Sequence, residues 1–231
     1  MIAAGVVSQE AAAATTARAL LEVGAVHIRP DEPFTYTSGL KSPVYVDCRK
    51  LIAYPRLRGT LMQLGVATVA REAGLERFDG VAGGETAGIA FAAWMADLMG
   101  LPMQYVRKAP KGFGRNARIE GDLVPGQRTL LVEDLATDGG SKVRFAEALR
   151  AAGAEVAHCF VIFHHDIFAG SEAALAAHGL TIHALARWRD VLSLARQRGT
   201  PDAAAIAEVD GFLADPLGWS SARGGVDRLP G

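Results

Sequence analysis

The chain has 231 residues, half of them hydrophobic and 21% charged, which is enough for one large α/β domain and excludes a disordered polymer. A formal net charge of −1 offers no bulk attraction to nucleic acid or an anionic membrane, so any anion-binding site has to be local. The two cysteines, Cys48 and Cys159, lack metal-ligand spacing, and no apolar run approaches the roughly 20 residues of a membrane span; a soluble, cytoplasmic protein with reduced thiols is expected.

In chain order, the first two dozen residues read as an Ala-rich amphipathic helix capped by Ser8 and stopped at Gly24, not as a leader. Ala13, Ala17, Leu20 and Leu21 form its core side. A turn falls at Ser38-Gly39, and Val44–Val46 is extended. Residues 55–73 carry helical apolar spacing at Leu57, Leu61, Leu64, Val66 and Val69. Then the chain alternates: strand 80–83, helix 87–99 ending at Gly100, strand 103–106, strand 129–133, helix 141–152 ending at Gly153, strand 156–163, a helix near 170–178, strand 181–185 and one or two C-terminal helices. Strands separated by helices of roughly 10–15 residues predict βαβ units, an α/β fold with a parallel sheet flanked by helices. Ligands of such sheets sit beyond the carboxyl ends of the strands. That places function in 83–88 (GGETAG), 107–121, 133–142 and 164–166 (HHD).

The stretch TLLVEDLATDGGSK (129–142) carries the chemistry. Its apolar start is a central strand. Glu133 and Asp134 close that strand, where carboxylates can accept hydrogen bonds from vicinal hydroxyls or hold magnesium through water. Thr137, Asp138, Gly139, Gly140 and Ser141 turn into a helix. Glycines let backbone N–H groups converge there, and the helix N-terminus adds partial positive charge, so a phosphate fits. An ordinary βα turn with an Asp or Ser cap accounts for Asp138 and Ser141, but not for two adjacent acids at the end of a buried strand. No P-loop string occurs, and GFGRNA (112–117) follows a basic loop where a dinucleotide fingerprint would follow a strand. Residues 107–118 hold five basic side chains: Arg107, Lys108, Lys111, Arg115 and Arg118. On their own they suit a catalytic loop, a solvated surface or a nucleic-acid patch.

VEDLATDGGS resembles the phosphoribosyl-diphosphate signature of type I phosphoribosyltransferases. With FTYTSGLKSPVYVDCR (34–49), VAGGETAGIAFAAWMADLMGLP (81–102) and YVRKAPKGFG (105–114) in the same order, the chain resembles the orotate phosphoribosyltransferases over roughly residues 15–195. The resemblance implies a type I phosphoribosyltransferase fold in a single domain, with a hood over 1–50, a core over 51–185 and a helical extension over 186–231. It implies that Glu133 and Asp134 hold the ribose hydroxyls and that Leu135, Ala136, Thr137, Asp138, Gly139, Gly140 and Ser141 complete the phosphoribosyl-diphosphate site. Thr137 would also touch orotate. Arg107, Lys108 and Lys111 would belong to a catalytic loop that closes over the partner's site in a homodimer, with Lys111 and Asp134 catalytic. Magnesium would be held mainly through substrate and water. The reaction expected is orotate plus phosphoribosyl diphosphate to orotidine 5′-monophosphate and diphosphate. A salvage enzyme for another base and a non-catalytic phosphoribosyl-diphosphate sensor are the rivals; the sensor should add a basic domain or helix-turn-helix, and neither is visible.

Four positions depart from the family pattern. Thr37 stands where many relatives have Lys, with Lys41 nearby to supply the charge. Ala87 replaces a Lys, and Phe113 a His, with Arg115 as substitute. His165 aligns with an Arg that pairs with the orotate carboxylate; for His164-His165-Asp166, a plain strand-end turn and a substrate contact stay open. Asp138 is expected to turn its carboxylate away from the phosphate and cap the helix, since like charges at ~4 Å repel by about 1 kcal/mol in water. Trp188 and Trp219 read as packing residues.

Overall fold

The computed structural model describes residues 7–110, 118–168 and 170–228. Helix α1 (Gln9–Glu22) starts where the Ser8 hydroxyl accepts from the Ala11 N–H, and buries Ala12, Ala13, Thr16, Ala17, Ala19 and Leu20. Four short strands follow. β1 (Val26–Ile28) pairs antiparallel with β4 (Val44–Val46), and β2 (Phe34–Thr35) pairs with β3 (Lys41–Ser42). A 3-10 turn at Cys48–Ala53 leads into α2 (Pro55–Glu72), whose first residue is a proline that needs no N–H there.

The main sheet then assembles from β5 (Gly80–Gly84), α3 (Ala87–Met99), β6 (Met103–Val106), β7 (Ile119–Glu120), β8 (Arg128–Ala136), α4 (Gly140–Ala151), β9 (Glu155–His164), α5 (Ser171–Ala177) and β10 (Thr181–Arg187). The strand order is β10-β9-β8-β5-β6-β7, parallel throughout except for β7. From β5 the chain steps outward to β6. It then returns to β8 on the other side of β5 and continues to β9 and β10. The order therefore reverses between β5 and β8, and the crevice at their carboxyl ends is where such a sheet takes a ligand.

One apolar core lies on the face covered by α1, α2, α3 and α6 (Trp188–Arg198), with Val132, Phe160 and Ile162 facing it. The other lies under α4 and α5, with Leu131, Cys159 and Val161. α2 approaches β9 so closely that a Cβ on Gly65 would stand 2.6 Å from Phe160 Cζ. Helices α7 (Ala203–Ala214) and α8 (Pro216–Ser221) complete the chain. α8 packs on β3: the Lys41 N–H donates to Ser220 Oγ at 3.0 Å, and Val226 N–H donates to the Gly39 carbonyl at 3.2 Å.

The sequence reading needs three corrections. β8 runs three residues past Glu133, because Leu135 and Ala136 pair with Phe163 and His164 of β9. The edge strand β7 has too few residues to show a period. And there are three C-terminal helices rather than one or two.

Candidate active site

Side chains alternate along a strand, so the adjacent acids of β8 point to opposite faces of the sheet. Glu133 shares the α4 face with Leu131; Asp134 shares the opposite face with Val132, where Arg49 and Cys48 feel its charge. Glu133 is 7% exposed, and its Oε2 lies 3.4 Å from the Nζ of Lys142, itself buried in the first turn of α4. Its Oε1 is buried and unpartnered. Burial raises the Glu133 pKa to about 7, although Lys142 pulls the other way. Desolvation outweighs the ion pair because only one of the two oxygens meets the ammonium. Burial also raises the Asp134 pKa, against the pull of Lys142 and of nearby backbone N–H groups.

Beyond β8 the chain turns through 137–141 into α4. Gly139 has φ +84°, and a Cβ there would meet the Leu175 side chain at 2.8 Å, so backbone geometry and packing both require glycine. The Asp138 carboxylate accepts from the Gly140 N–H at 3.2 Å. It thus borders the turn, but the N-cap of α4 is Gly139 with no side-chain cap, and Asp138 lines the cleft, so the expected turn away from the phosphate as a helix cap is not what the structure has. The Ser141 hydroxyl accepts from Lys142 Nζ at 3.1 Å, which links the turn to Glu133 through one ammonium.

These residues open into a cleft of about 890 Å³. Of the residues anticipated from sequence, Lys108, Glu133, Asp134, Leu135, Thr137, Asp138, Ser141 and His165 line it. Ala136, Gly139 and Gly140 lie between these residues in the chain but do not themselves line the cleft. Arg107 instead faces Glu120, its Nη1 3.6 Å from that carboxylate. Lys111, Phe113 and Arg115 lie outside the described residues. Lys41 does not line the cleft; its segment is bound to α8, so it does not replace the Lys missing at Thr37. The cations bordering the cleft are Arg49, Lys108, Arg118, Lys142 and Arg144 among the described residues. Arg49 is aimed by Asp47 at 2.7 Å and by the Tyr45 hydroxyl at 2.9 Å. Arg49 and Lys142 were missed in the sequence reading, and only their tertiary neighbours distinguish them from surface cations.

His165 leaves β9 beside Ala136, whose carbonyl accepts from its N–H at 2.8 Å. Its Nδ1 accepts from the indole N–H of Trp188 at 3.1 Å, and burial pushes its pKa down to about 3. Trp188 packs as expected, but it also makes this polar contact. His164 is buried with neither ring nitrogen hydrogen-bonded.

A family model described as phosphoribosyl transferase domain matches residues 66–178. An orotate phosphoribosyltransferase from Cereibacter sphaeroides is 58% identical over 219 residues, covering 95% of this chain and 94% of that protein. The chain belongs to the orotate phosphoribosyltransferase family. Among solved structures, the orotate phosphoribosyltransferase of Aeropyrum pernix superposes with a TM-score of 0.68 at 30% identity, covering 78% of this chain and 98% of that one. The UMP synthase of Leishmania donovani superposes with a TM-score of 0.75 at 30% identity; it covers 88% of this chain, which spans only 42% of that longer protein. The type I fold implied by the motifs is therefore the fold observed, and the family's signature occupies the crevice where the strand order reverses. Orotate phosphoribosyltransferase relatives match nearly the whole chain.

Proposed function

We infer that the protein transfers the phosphoribosyl group of 5-phosphoribosyl 1-diphosphate to orotate, giving orotidine 5′-monophosphate and diphosphate in pyrimidine biosynthesis. The observation that carries this is the Glu133-Asp134 pair straddling the end of β8, directly before a glycine turn at a helix N-terminus, in a chain 58% identical to an orotate phosphoribosyltransferase. The turn 137–141 is suited to the 5′-phosphate through its backbone N–H groups and the Thr137 and Ser141 hydroxyls. Glu133 and Asp134 accept from the ribose hydroxyls.

In the reaction the bond between the sugar C1 and the diphosphate oxygen breaks, and the diphosphate keeps the electron pair. A ring nitrogen of orotate forms the new bond, and its proton passes to the departing diphosphate or to solvent. Positive charge grows on the sugar and negative charge on the leaving group. Lys108 and Arg118, which border the cleft, are proposed to offset the latter, with Lys111 joining them by resemblance to the family. Excluding water protects the activated sugar from hydrolysis.

The oxygen-only donors of Glu133 and Asp134, one of them an unpartnered buried oxygen, fit a hard cation, and magnesium is proposed as cofactor, held mainly by substrate and water near them. Magnesium would neutralise diphosphate charge and improve the leaving group. The chain is proposed to act as one domain, with residues 1–50 as hood and 186–231 as extension, in a homodimer whose basic loops cross between subunits. Free, buried Cys48 and Cys159 suit a cytoplasmic protein, and no described helix is long and apolar enough to cross a membrane.

The test is incubation of the purified protein with phosphoribosyl diphosphate, magnesium and, in separate reactions, orotate, uracil or a purine. Orotate should be consumed with release of diphosphate. Turnover of another base alone points to salvage, and binding without turnover of any base to a sensor.

A further inference from the structure

The segment after β9 is held from both sides. On one side the His165 N–H is bound to Ala136 of β8. On the other, two consecutive residues at the junction of β10 and α6 reach back to it. Arg187 donates to the Asp166 carboxylate and pairs with Glu172, each at 2.6 Å. Trp188 donates its indole N–H to His165 Nδ1. The arginine lies between the two carboxylates of the one cluster of metal-ligand type found among the described residues, His164, Asp166 and Glu172, and supplies the positive charge a cation would bring. These ion pairs tie Asp166, the residue after His165, to Arg187.

An indole N–H can only donate, so His165 Nδ1 must be an unprotonated acceptor. The ring is neutral, because burial holds its pKa far below the working range, and the Lys142 ammonium acts in the same direction. Its single proton is therefore on Nε2, the ring nitrogen across from the indole. The ring cannot readily turn. Phe163 and Trp188 contact it edge-to-face with centroids 5.3 and 5.8 Å away. His165 lines the cleft together with Thr137, so the cleft meets a fixed, uncharged N–H donor at this point.

We propose that Trp188 is a positioning residue of the base subsite, fixing His165 as an Nε2–H donor to the anionic carboxylate of the incoming base. This rests on the reading of orotate as acceptor. It deepens that reading by stating how a site without a guanidinium fork recognises a carboxylate: by one hydrogen bond of set polarity. A base offering an N–H or C–H at that edge leaves the donor unpaired, and an unpaired buried donor is costly.

The test combines spectroscopy and kinetics on the full-length enzyme. Nitrogen-15 spectra of the imidazoles should show His165 as the Nε2–H tautomer, without titration between about pH 5 and 8. Trp188→Phe keeps the ring but removes the donor. It should shift that signature and raise the KM for orotate about tenfold, the worth of one hydrogen bond, with the KM for phosphoribosyl diphosphate changed less than about twofold. As a second pair, His165→Gln retains an amide N–H near the ε position and His165→Asn does not, so Asn should lose several-fold more orotate affinity than Gln. An Nδ1–H tautomer in the wild type, an orotate KM unmoved in Trp188→Phe, or a reversed order of Gln and Asn overturns the proposal. Failure of the wild type to use orotate sinks the functional reading instead, and the tautomer measurement is independent of it.

Discussion

Glu133 sets the residue-scale behaviour of this site, because its pKa of about 7 places its charge change inside the working range. Its folded pKa lies above the usual carboxylate value of 4.5, so protonation favours the folded state. The contribution to stability is fully present below pH 4.5 and is lost as the pH rises through about 7, reaching on the order of 3 kcal/mol. The proposed substrate binding runs the other way, since an ionised Glu133 would accept from a ribose hydroxyl and would attract a magnesium complex. The expected result is an affinity for phosphoribosyl diphosphate that falls as the pH drops below about 7, approaching tenfold per unit. Glu133→Gln should weaken binding and flatten this profile, as titration calorimetry across pH would show. A profile as steep in the variant as in the wild type would assign the titration to another group. Lys142 enters through the same carboxylate. Lys142→Met removes the ammonium 3.4 Å from Glu133 Oε2, so the profile should move upward by about one pH unit or more. An unchanged midpoint would mean that the pair does not interact in solution.

At the scale of elements, the site depends on how closely β5, α3 and α4 approach β8. Gly84 ends β5 directly beside Glu133, and a Cβ there would lie 2.6 Å from Phe145 Cε2 as well as against the Glu133 carboxylate. Gly84→Ala should therefore cost about 1–3 kcal/mol of stability by overpacking and displace Glu133. Thermal melts and the KM for phosphoribosyl diphosphate report the two effects separately; a loss of stability with an unchanged KM would free Glu133 from this contact. The helices were legible because their boundaries carry local chemistry: Pro55 opens α2, Gly100 closes α3, and Gly153 follows α4. The end of β8 was not, since Glu133-Asp134 reads as a polar terminus until pairing with β9 accounts for the residues beyond it. Lys142, and the polar contact of Trp188, escaped for the same reason. A lysine after a serine cap reads as solvated, and the histidine partner of Trp188 lies 23 residues away. What sequence cannot show in these cases is burial created by another element.

For the whole molecule, the C-terminal extension has a visible task. α8 and the residues after it brace the β2–β3 hairpin, whose turn residues Tyr36, Thr37 and Ser38 border the cleft. The hairpin wall of the cleft is thus held from behind by the C-terminal helix, while Lys108, just after β6, borders the cleft itself. The proposed homodimer completes the site with the basic loop from the second subunit, and this makes a prediction that a monomeric mechanism does not. Lys111→Ala should lower turnover by orders of magnitude without lowering the melting temperature, if the role proposed for it is to offset charge in the transition state. Asp134→Ala should be equally inactive if this acid holds the ribose as proposed. If each active site joins a loop from one subunit to a sheet from the other, a mixed dimer contains one site with both lesions and one with neither. Mixing the two dead variants in equal amounts, with subunit exchange, should then restore roughly a quarter of wild-type activity. If loop and sheet of one subunit serve the same site, every site in the mixture carries a lesion and activity stays at the level of the single variants. Sedimentation of the mixture would verify that mixed dimers had formed, so that an absence of recovery counts against the shared loop and not against exchange.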